Sequence, residues 1–137
     1  MTATVEVIKD PFFSFNGVDL SDQCGEVALN FSLDELESTA SGDDSHVSVP
    51  GLEKPSGTVK LFRNYGAGSV EATLWAAKGT IVPVIIRRKR AVKAVDNPEF
   101  TFNAFVSQQP VIGGAVGALD ECQVSLAFNT KITRATA

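Results

Sequence analysis

The sequence predicts a mostly β-stranded fold, either a closed barrel or two packed sheets, flanked by one short α-helix. Nine phenylalanines and abundant valine and threonine favour strands over helices. Several segments alternate apolar and polar residues with a period of two, and together they indicate about eight or nine strands. A length of 137 residues fits one domain. We therefore expect residues 1–137 to form a single domain, with residues 1–11 as an N-terminal arm.

The first predicted elements are a hairpin and a longer strand. Asn16-Gly17 is the favoured pair for a two-residue hairpin turn, and it would place Phe15 opposite Val18. From Val27 to Leu33, apolar residues alternate with polar ones, which predicts a half-buried strand. The alternation slips at Leu36, which predicts a bulge or a bend.

Residues 40–57 have no convincing periodicity and predict a long loop. Loops longer than about 12–15 residues are uncommon in compact domains and are often functional. This one carries Val47, Val49 and Leu52, which are apolar side chains that would gain from burial. The segment is therefore the first candidate for function.

Residues 57–65 predict the next strand, with Val59 and Leu61 on one face, and a short helix with two apolar sides is predicted after it. Ser69 is a suitable N-cap, and the helix would run from about Val70 to Lys78 and end at Gly79. One apolar side would pack on the sheet and the other against a neighbouring subunit. The residues of the two sides are Val70, Leu74 and Ala77, and Ala72, Trp75 and Ala76.

The segment from Ile81 to Ile86 predicts a strand that is apolar on both faces. Pro83 lacks the N–H that a central strand donates, which favours an edge position or a bulge. An apolar edge strand is a hazard in a monomer and an interface in an assembly. The basic run that follows, Arg87 to Arg90, has three interpretations: a solvated strand end, a contact with acidic patches of a neighbouring subunit, and, less favoured, a nucleic-acid contact.

Three shorter segments complete the predicted sheet. Alternating residues predict strands over 99–106 and 121–129, joined by a glycine-rich connection, and the tail 131–137 predicts a last short strand.

No catalytic or metal-binding constellation is recognisable, so we expect neither an enzyme nor a cofactor or metal. His46 is the single histidine, and Asp43 and Asp44 lack the alternating ligands of a calcium loop. Cys24 and Cys122 are too widely spaced for a zinc motif and are expected to be free thiols. A net charge of −4 disfavours a nucleic-acid reader. Without a signal-peptide pattern or an apolar run of membrane-spanning length, a soluble and reducing compartment is expected.

Several stretches, taken in order, resemble the major tail proteins of long-tailed, non-contractile bacteriophages, many of which infect actinobacteria. The N-terminal half of that family is similar to VDLSDQCGEVALNFSLDELESTASGDDS, VPGL and SGTVKLF. The remainder is similar to SVEATLWAAKGTIVPVIIR, NPEFTF, PVIGGAVGALDECQVSLAFN and ITRATA. The resemblance extends over nearly the whole chain from Gly17.

The resemblance implies a tail-tube β-sandwich or barrel that forms rings of six. The rings would stack into a hollow tail tube around a tape-measure protein and meet terminator and distal tail proteins at its ends. The genome would pass through the lumen without specific binding, which suits a negatively charged subunit. The chain would be located in the virion tail, and in the host cytoplasm during assembly.

The resemblance also implies two sets of contact residues. In that family the long loop between the early strands reaches an adjoining ring, so contacts between rings are expected in this loop. Contacts within a ring are expected at the apolar segments described above. Contacts between rings are expected at Gly42, Asp43, Asp44, His46, Val47, Val49, Pro50 and Leu52, and contacts within a ring at Trp75, Ile81, Val82, Val84, Ile85, Ile86, Arg87 and Arg88.

Two other functions stay open at this point. A tail terminator or baseplate ring subunit would form one ring and stop. A monomeric β-sandwich that binds carbohydrate would need exposed aromatic residues on one face, whereas most phenylalanines here have inward phases.

Overall fold

A computed structural model describes residues 7–137, so residues 1–6 of the expected N-terminal arm lie outside the described residues. Eight strands, one 3-10 turn and one short α-helix confirm the prediction of a mostly β fold. The elements are β1 (Phe12–Phe15), β2 (Val18–Asp19), the 3-10 turn (Ser21–Gln23), β3 (Cys24–Glu37), β4 (Ser48–Phe62), α1 (Val70–Ala76), β5 (Val82–Arg87), β6 (Glu99–Gln108), β7 (Glu121–Phe128) and β8 (Thr133–Ala135).

All strands belong to one antiparallel sheet in the order β2-β1-β5-β6-β7-β4-β3, and β8 pairs with β6. The first half of β6 pairs with β8, and its second half pairs with β7. A single hydrophobic core unites Phe15 of β1, Val59 of β4 and Leu74 of α1. Since β1 and β4 lie near opposite ends of the strand order, the sheet curls around this core and the helix packs against it.

The predicted hairpin and helix cap are confirmed. Asn16 and Gly17 have φ values of 52° and 80°, and Phe15 pairs with Val18. The Ser69 hydroxyl accepts a hydrogen bond from the Ala72 N–H at 3.2 Å, which satisfies a free donor of the first turn. The helix ends at Ala76, two residues earlier than predicted. One of the two predicted apolar sides, formed by Val70, Leu74 and Ala77, is buried in the core.

The prediction that the 81–86 strand is an edge strand is wrong. β5 lies between β1 and β6 in the sheet. The Pro83 carbonyl accepts a hydrogen bond from the Asn16 N–H at 3.0 Å. Because the N and O atoms of one strand residue point to the same side, the missing N–H of Pro83 points toward the β1–β2 turn, where β1 has already ended. The proline therefore interrupts no ladder bond to β6.

The prediction of a loop over 40–57 is also wrong for its second half. β4 begins at Ser48 and pairs with β3 along its whole length. The segment lacks periodicity because both faces of this part of the ribbon are in contact with solvent, so neither face requires apolar residues. Pro50 and Pro55 are tolerated because β4 has no second neighbour before Gly57.

Both cysteines are free thiols; Cys122 is buried and Cys24 is partly buried. Burial raises the pKa of the Cys24 thiol, which keeps it protonated and unreactive at neutral pH. Over residues 7–137, no helix is long and apolar enough to span a membrane.

Candidate functional site

The candidate site is a two-stranded arm that extends from the curled sheet. We define the arm as residues 30–56, the part of the β3–β4 hairpin that lies beyond the last β4–β7 pair, Gly57 with Leu126. Within the arm, each strand pairs only with the other. Every residue from Asn30 to Pro50 is exposed. An isolated two-stranded ribbon is marginally stable in water, so this arm is a structure that would be stabilised by a partner.

A β-bulge changes the facing of side chains halfway along the arm. Leu33 pairs with Glu53 and Glu35 pairs with Pro50, so β4 contains one residue more than β3 between these pairs. A Cβ atom added to Gly51 would lie 2.9 Å from the Asp34 Cβ atom, which explains the glycine at the bulge. The bulge confirms the irregularity predicted from the phase slip at Leu36.

Beyond the bulge, Leu36 and Val49 lie opposite each other near the end of the arm. Both are exposed, as are Phe31 (64% exposed), Leu33 and Leu52 (81% exposed). Exposed apolar side chains of this number on one ribbon are typical of an interaction surface. The arm also carries the carboxylates Asp34, Glu35, Glu37, Asp43, Asp44 and Glu53 against one lysine, Lys54. Its surface is therefore apolar and acidic.

Hydrogen bonds give the end of the arm a defined shape. The Ser38 N–H donates to the Val47 carbonyl at 2.8 Å, and the Val47 N–H donates to the Thr39 hydroxyl at 2.9 Å. The Asp43 carboxylate accepts from the Ala40 N–H at 2.7 Å. The His46 ring pairs with the Glu37 carboxylate. His46 and Asp43 thus have local structural partners, and among residues 7–137 no group of three His, Cys, Asp or Glu residues is arranged to hold a metal ion.

An apolar groove of about 500 Å³ lies at the base of the arm. We define the groove by the apolar residues Ile8, Val27, Leu29, Phe31, Phe100 and Ile132, and by the charged residues Arg88, Arg134 and Glu53, which also line it. These residues come from β3, β4, β6 and β8 and from the segments before β1, after β5 and before β8. The groove is where the curled sheet leaves apolar surface open.

The basic run is largely neutralised within the chain. Arg87 binds the Glu99 carboxylate at 2.7 Å and lies 4.0 Å from the centre of the Phe12 ring. Arg90 binds both Asp10, at 2.6 Å, and Asp22, at 2.7 Å. The carboxylate partners that the structure shows for Arg87 and Arg90 belong to the same chain, and a contact of these arginines with a neighbour's acidic patches stays a prediction.

The residues expected to form contacts within a ring separate into two groups. Val82, Val84 and Ile86 are buried in the core of the monomer and are unavailable for a contact between subunits. Trp75 and Ile81 are exposed, each at 51%, and Ile85 is partly buried. The sequence of β5 predicts a strand that is apolar on both faces. The face with Val82, Val84 and Ile86 packs into the monomer's own core.

A second exposed apolar surface, which the sequence analysis did not predict as a site, is the glycine-rich loop between β6 and β7. Val111, Ile112, Val116 and Leu119 are all exposed. The buried guanidinium of Arg63 holds the start of this loop by donating to the Pro110 and Val111 carbonyls, at 2.5 Å and 3.1 Å. The apolar residues between the glycines were the signal available in the sequence.

Comparisons with known proteins establish the fold. No protein-family model matches the sequence, and no curated protein is similar to it. Several solved structures, among them the following three, share the fold over nearly the whole chain. One is from the virion of a native gene transfer agent particle, with a TM-score of 0.76, 6% identity and coverage of 96% of this chain and 99% of the other.

The second is the sheath/tube terminator of the extracellular contractile injection system PVC, with a TM-score of 0.76, 10% identity and coverage of 98% and 99%. The third is the SPP1 tail tube, with a TM-score of 0.71, 12% identity and coverage of 93% and 77%. These likenesses confirm the expected tail-tube fold: the chain has the fold of proteins from tail tubes and related injection particles.

Proposed function

We propose that this chain is a non-enzymatic structural subunit of a tail tube in a phage-like particle. The subunits form six-membered rings, and the rings stack into a hollow tube around a tape-measure protein. The observation that carries the proposal is the exposed apolar arm, residues 30–56, on a fold shared with the SPP1 tail tube. An arm of this kind is stabilised by packing against another copy.

The proposal separates two kinds of contact. Contacts between rings belong to the arm, which contains all eight residues expected from Gly42 to Leu52. Contacts within a ring belong to the exposed residues Trp75 and Ile81, together with the edge of β3, which has no second neighbour among residues 7–137. A free edge strand is suited to pairing between subunits.

Net negative charge supports passage of a genome through the tube. The chain carries 16 acidic and 12 basic residues, and its basic residues Arg87 and Arg90 already bind carboxylates of the same chain. A lumen surrounded by such subunits repels phosphates and does not retain them. In this arrangement the chain acts in the virion tail and is assembled in the host cytoplasm, where it meets terminator and distal tail proteins.

A second candidate function is a tail terminator. The likeness to the PVC sheath/tube terminator has the same TM-score, 0.76, as the likeness to the gene transfer agent protein. A terminator would form a single ring and would not extend it.

Negative-stain electron microscopy of the purified chain over a range of concentrations tests both candidates. Stacked six-fold rings or tubes with a central hole support the tail-tube subunit. Single rings that never stack favour the terminator. Monomers at all concentrations, even when preformed tail ends are added as initiators, would overturn both. A variant with residues 36–49 replaced by a two-residue turn is the matched control, since it removes the exposed pair Leu36 and Val49 at the end of the arm, retains the rest of the chain and is expected to form rings without stacking.

A further inference from the structure

We propose that the groove at the base of the arm is the docking site for the end of the arm of a second copy. The inference rests on the proposed function for the identity of the occupant, and it adds the acceptor surface. The groove is open and apolar, and the arm's end presents the exposed pair Leu36 and Val49. A volume of about 500 Å³ accommodates a few side chains and not a whole domain.

Charge complementarity favours the arm as the occupant. Arg88 and Arg134 line the groove together with one carboxylate, Glu53, and Arg134 is exposed. The arm carries six carboxylates against one lysine. Complementary charges around an apolar contact steer association and fix its orientation. An apolar groove in which arginines outnumber carboxylates thus matches an acidic ribbon with an apolar end.

The occupant cannot be the same chain's own arm. The groove is lined by Val27 and Leu29, which lie at the base of that arm. From Asn30 to Glu37 the paired strand extends for about 24 Å at ~3.4 Å per residue. Continuous pairing with β4 keeps the end of the arm away from its own base. The contact is therefore made between two copies.

Such a contact is heterologous, because each copy uses its arm on one side and its groove on the other. A heterologous contact is not closed by a two-fold axis: it either closes into a ring or propagates along a stack, and the proposed function assigns this one to the stack. This geometry allows the arm and the groove to be disabled in separate variants.

Two variants test the proposal. The groove variant carries Ile8→Glu and Arg134→Glu, and the arm variant carries Leu36→Asp and Val49→Asp. All four side chains are exposed, so both variants are expected to keep the wild-type fold and thermal stability. The groove variant still has an intact arm, and the arm variant still has an intact groove.

We expect neither variant to stack alone. In a mixture, the arm of the groove variant can bind the groove of the arm variant, and the resulting complex has no further intact pair of surfaces with which to extend. Analytical ultracentrifugation would show a 1:1 complex of the two variants, whether each is a monomer or a preformed ring. We expect the dissociation constant of this complex to rise about tenfold or more between 0.05 M and 0.5 M salt, since exposed charges contribute to the contact.

Three outcomes would overturn the proposal. The first is a mixture that does not pair while both variants fold normally. The second is a groove variant that stacks as well as the wild type. The third concerns the isolated arm variant: its groove amides are protected from hydrogen exchange, and this protection disappears when residues 1–6 are removed. That result would make the N-terminal segment the occupant of the groove.

The failure of this proposal can be told apart from the failure of the tail-tube function. Wild-type tubes together with an unpaired mixture would refute the docking site and leave the tube intact. A paired mixture without wild-type tubes would support the docking site and refute the tube.

Discussion

The arm and the rest of the described chain, which we call the body, both contain strands in which apolar and polar residues alternate. The apolar residues of these strands are buried in the body and exposed in the arm. In β7, alternate residues Cys122, Val124 and Leu126 are buried in the core. In β3, the alternation continues without interruption into Phe31 and Leu33, but these side chains are exposed. A period of two indicates a strand with one apolar face, and it does not indicate what covers that face.

The two regions differ in whether their apolar side chains are buried within the single chain. The body completes its core within one chain, with Val59, Leu61 and Val84 almost wholly inaccessible to solvent. The arm has apolar residues that are exposed in the single chain. The body should therefore determine the stability of the monomer, whereas the arm should determine assembly.

The largest expected effect on monomer stability comes from replacing a buried leucine, and replacement of an exposed leucine is the matched control. Leu61→Ala removes a fully buried side chain and should lower the free energy of unfolding by about 2–5 kcal/mol. Leu52→Ala removes an 81%-exposed side chain and should change it by less than about 0.5 kcal/mol. Urea unfolding of the dilute monomer measures both. Equal losses for the two variants would contradict the division between body and arm.

Much of the body could be predicted from the sequence because its signals are local. The Asn16-Gly17 turn, the Ser69 cap and the alternation of β6 and β7 each depend on a few neighbouring residues. The position of β5 could not be predicted in this way. Strand order depends on contacts between distant segments, and Pro83 is compatible with a central strand only because β1 ends where its N–H would point.

The candidate site could be predicted only in part. The sequence makes the segment 40–57 the first candidate for function, but it predicts a loop for the second half because Pro50, Gly51 and Pro55 are typical loop residues. A better signal was the length of β3: its alternation to Leu33 requires an equally long partner strand, and residues 48–56 are the next available. The groove could not be predicted, because its lining comes from segments far apart in the chain.

The next largest effect concerns the glycine-rich loop, which resembles the arm in its exposed apolar residues but is held by the body. Arg63→Met would remove the charged donor that holds the Pro110 and Val111 carbonyls. The free energy of unfolding should fall by about 1–3 kcal/mol, and amide exchange should accelerate across 111–119. Arg134→Met, at an exposed arginine, is the control and should change neither quantity. Unchanged exchange in Arg63→Met would show that the loop is held by other contacts.

A smaller, local effect is expected from Gly51→Ala in the arm. The new Cβ atom would collide with Asp34 and should destabilise pairing beyond the bulge by about 1–3 kcal/mol. Because the arm adds little to the stability of the body, global unfolding should be nearly unchanged. Hydrogen exchange at arm amides should accelerate while that of β6 does not, and Ser48→Ala serves as the exposed control. A matching loss of global stability would mean that arm and body unfold as one unit.

The smallest effect concerns a single hydrogen-bonded pair in the body, Asp19 with Ser21. Hydrogen bonds from the Ser21 hydroxyl and N–H hold the pKa of Asp19 below its ordinary value of about 3.9. This stabilisation is complete above that value and is lost as the pH falls through the lower pKa of the folded state. Because Asp19 is largely exposed, the effect should stay below about 1 kcal/mol. A double-mutant cycle of Asp19→Asn and Ser21→Ala, measured by urea unfolding from pH 6 to pH 2.5, should give a coupling that is constant above about pH 5 and decreases in acid. A coupling that does not change with pH would mean that the carboxylate's charge makes no contribution to the pair, and that this turn is held by packing around Phe13 and Leu20, like the rest of the body.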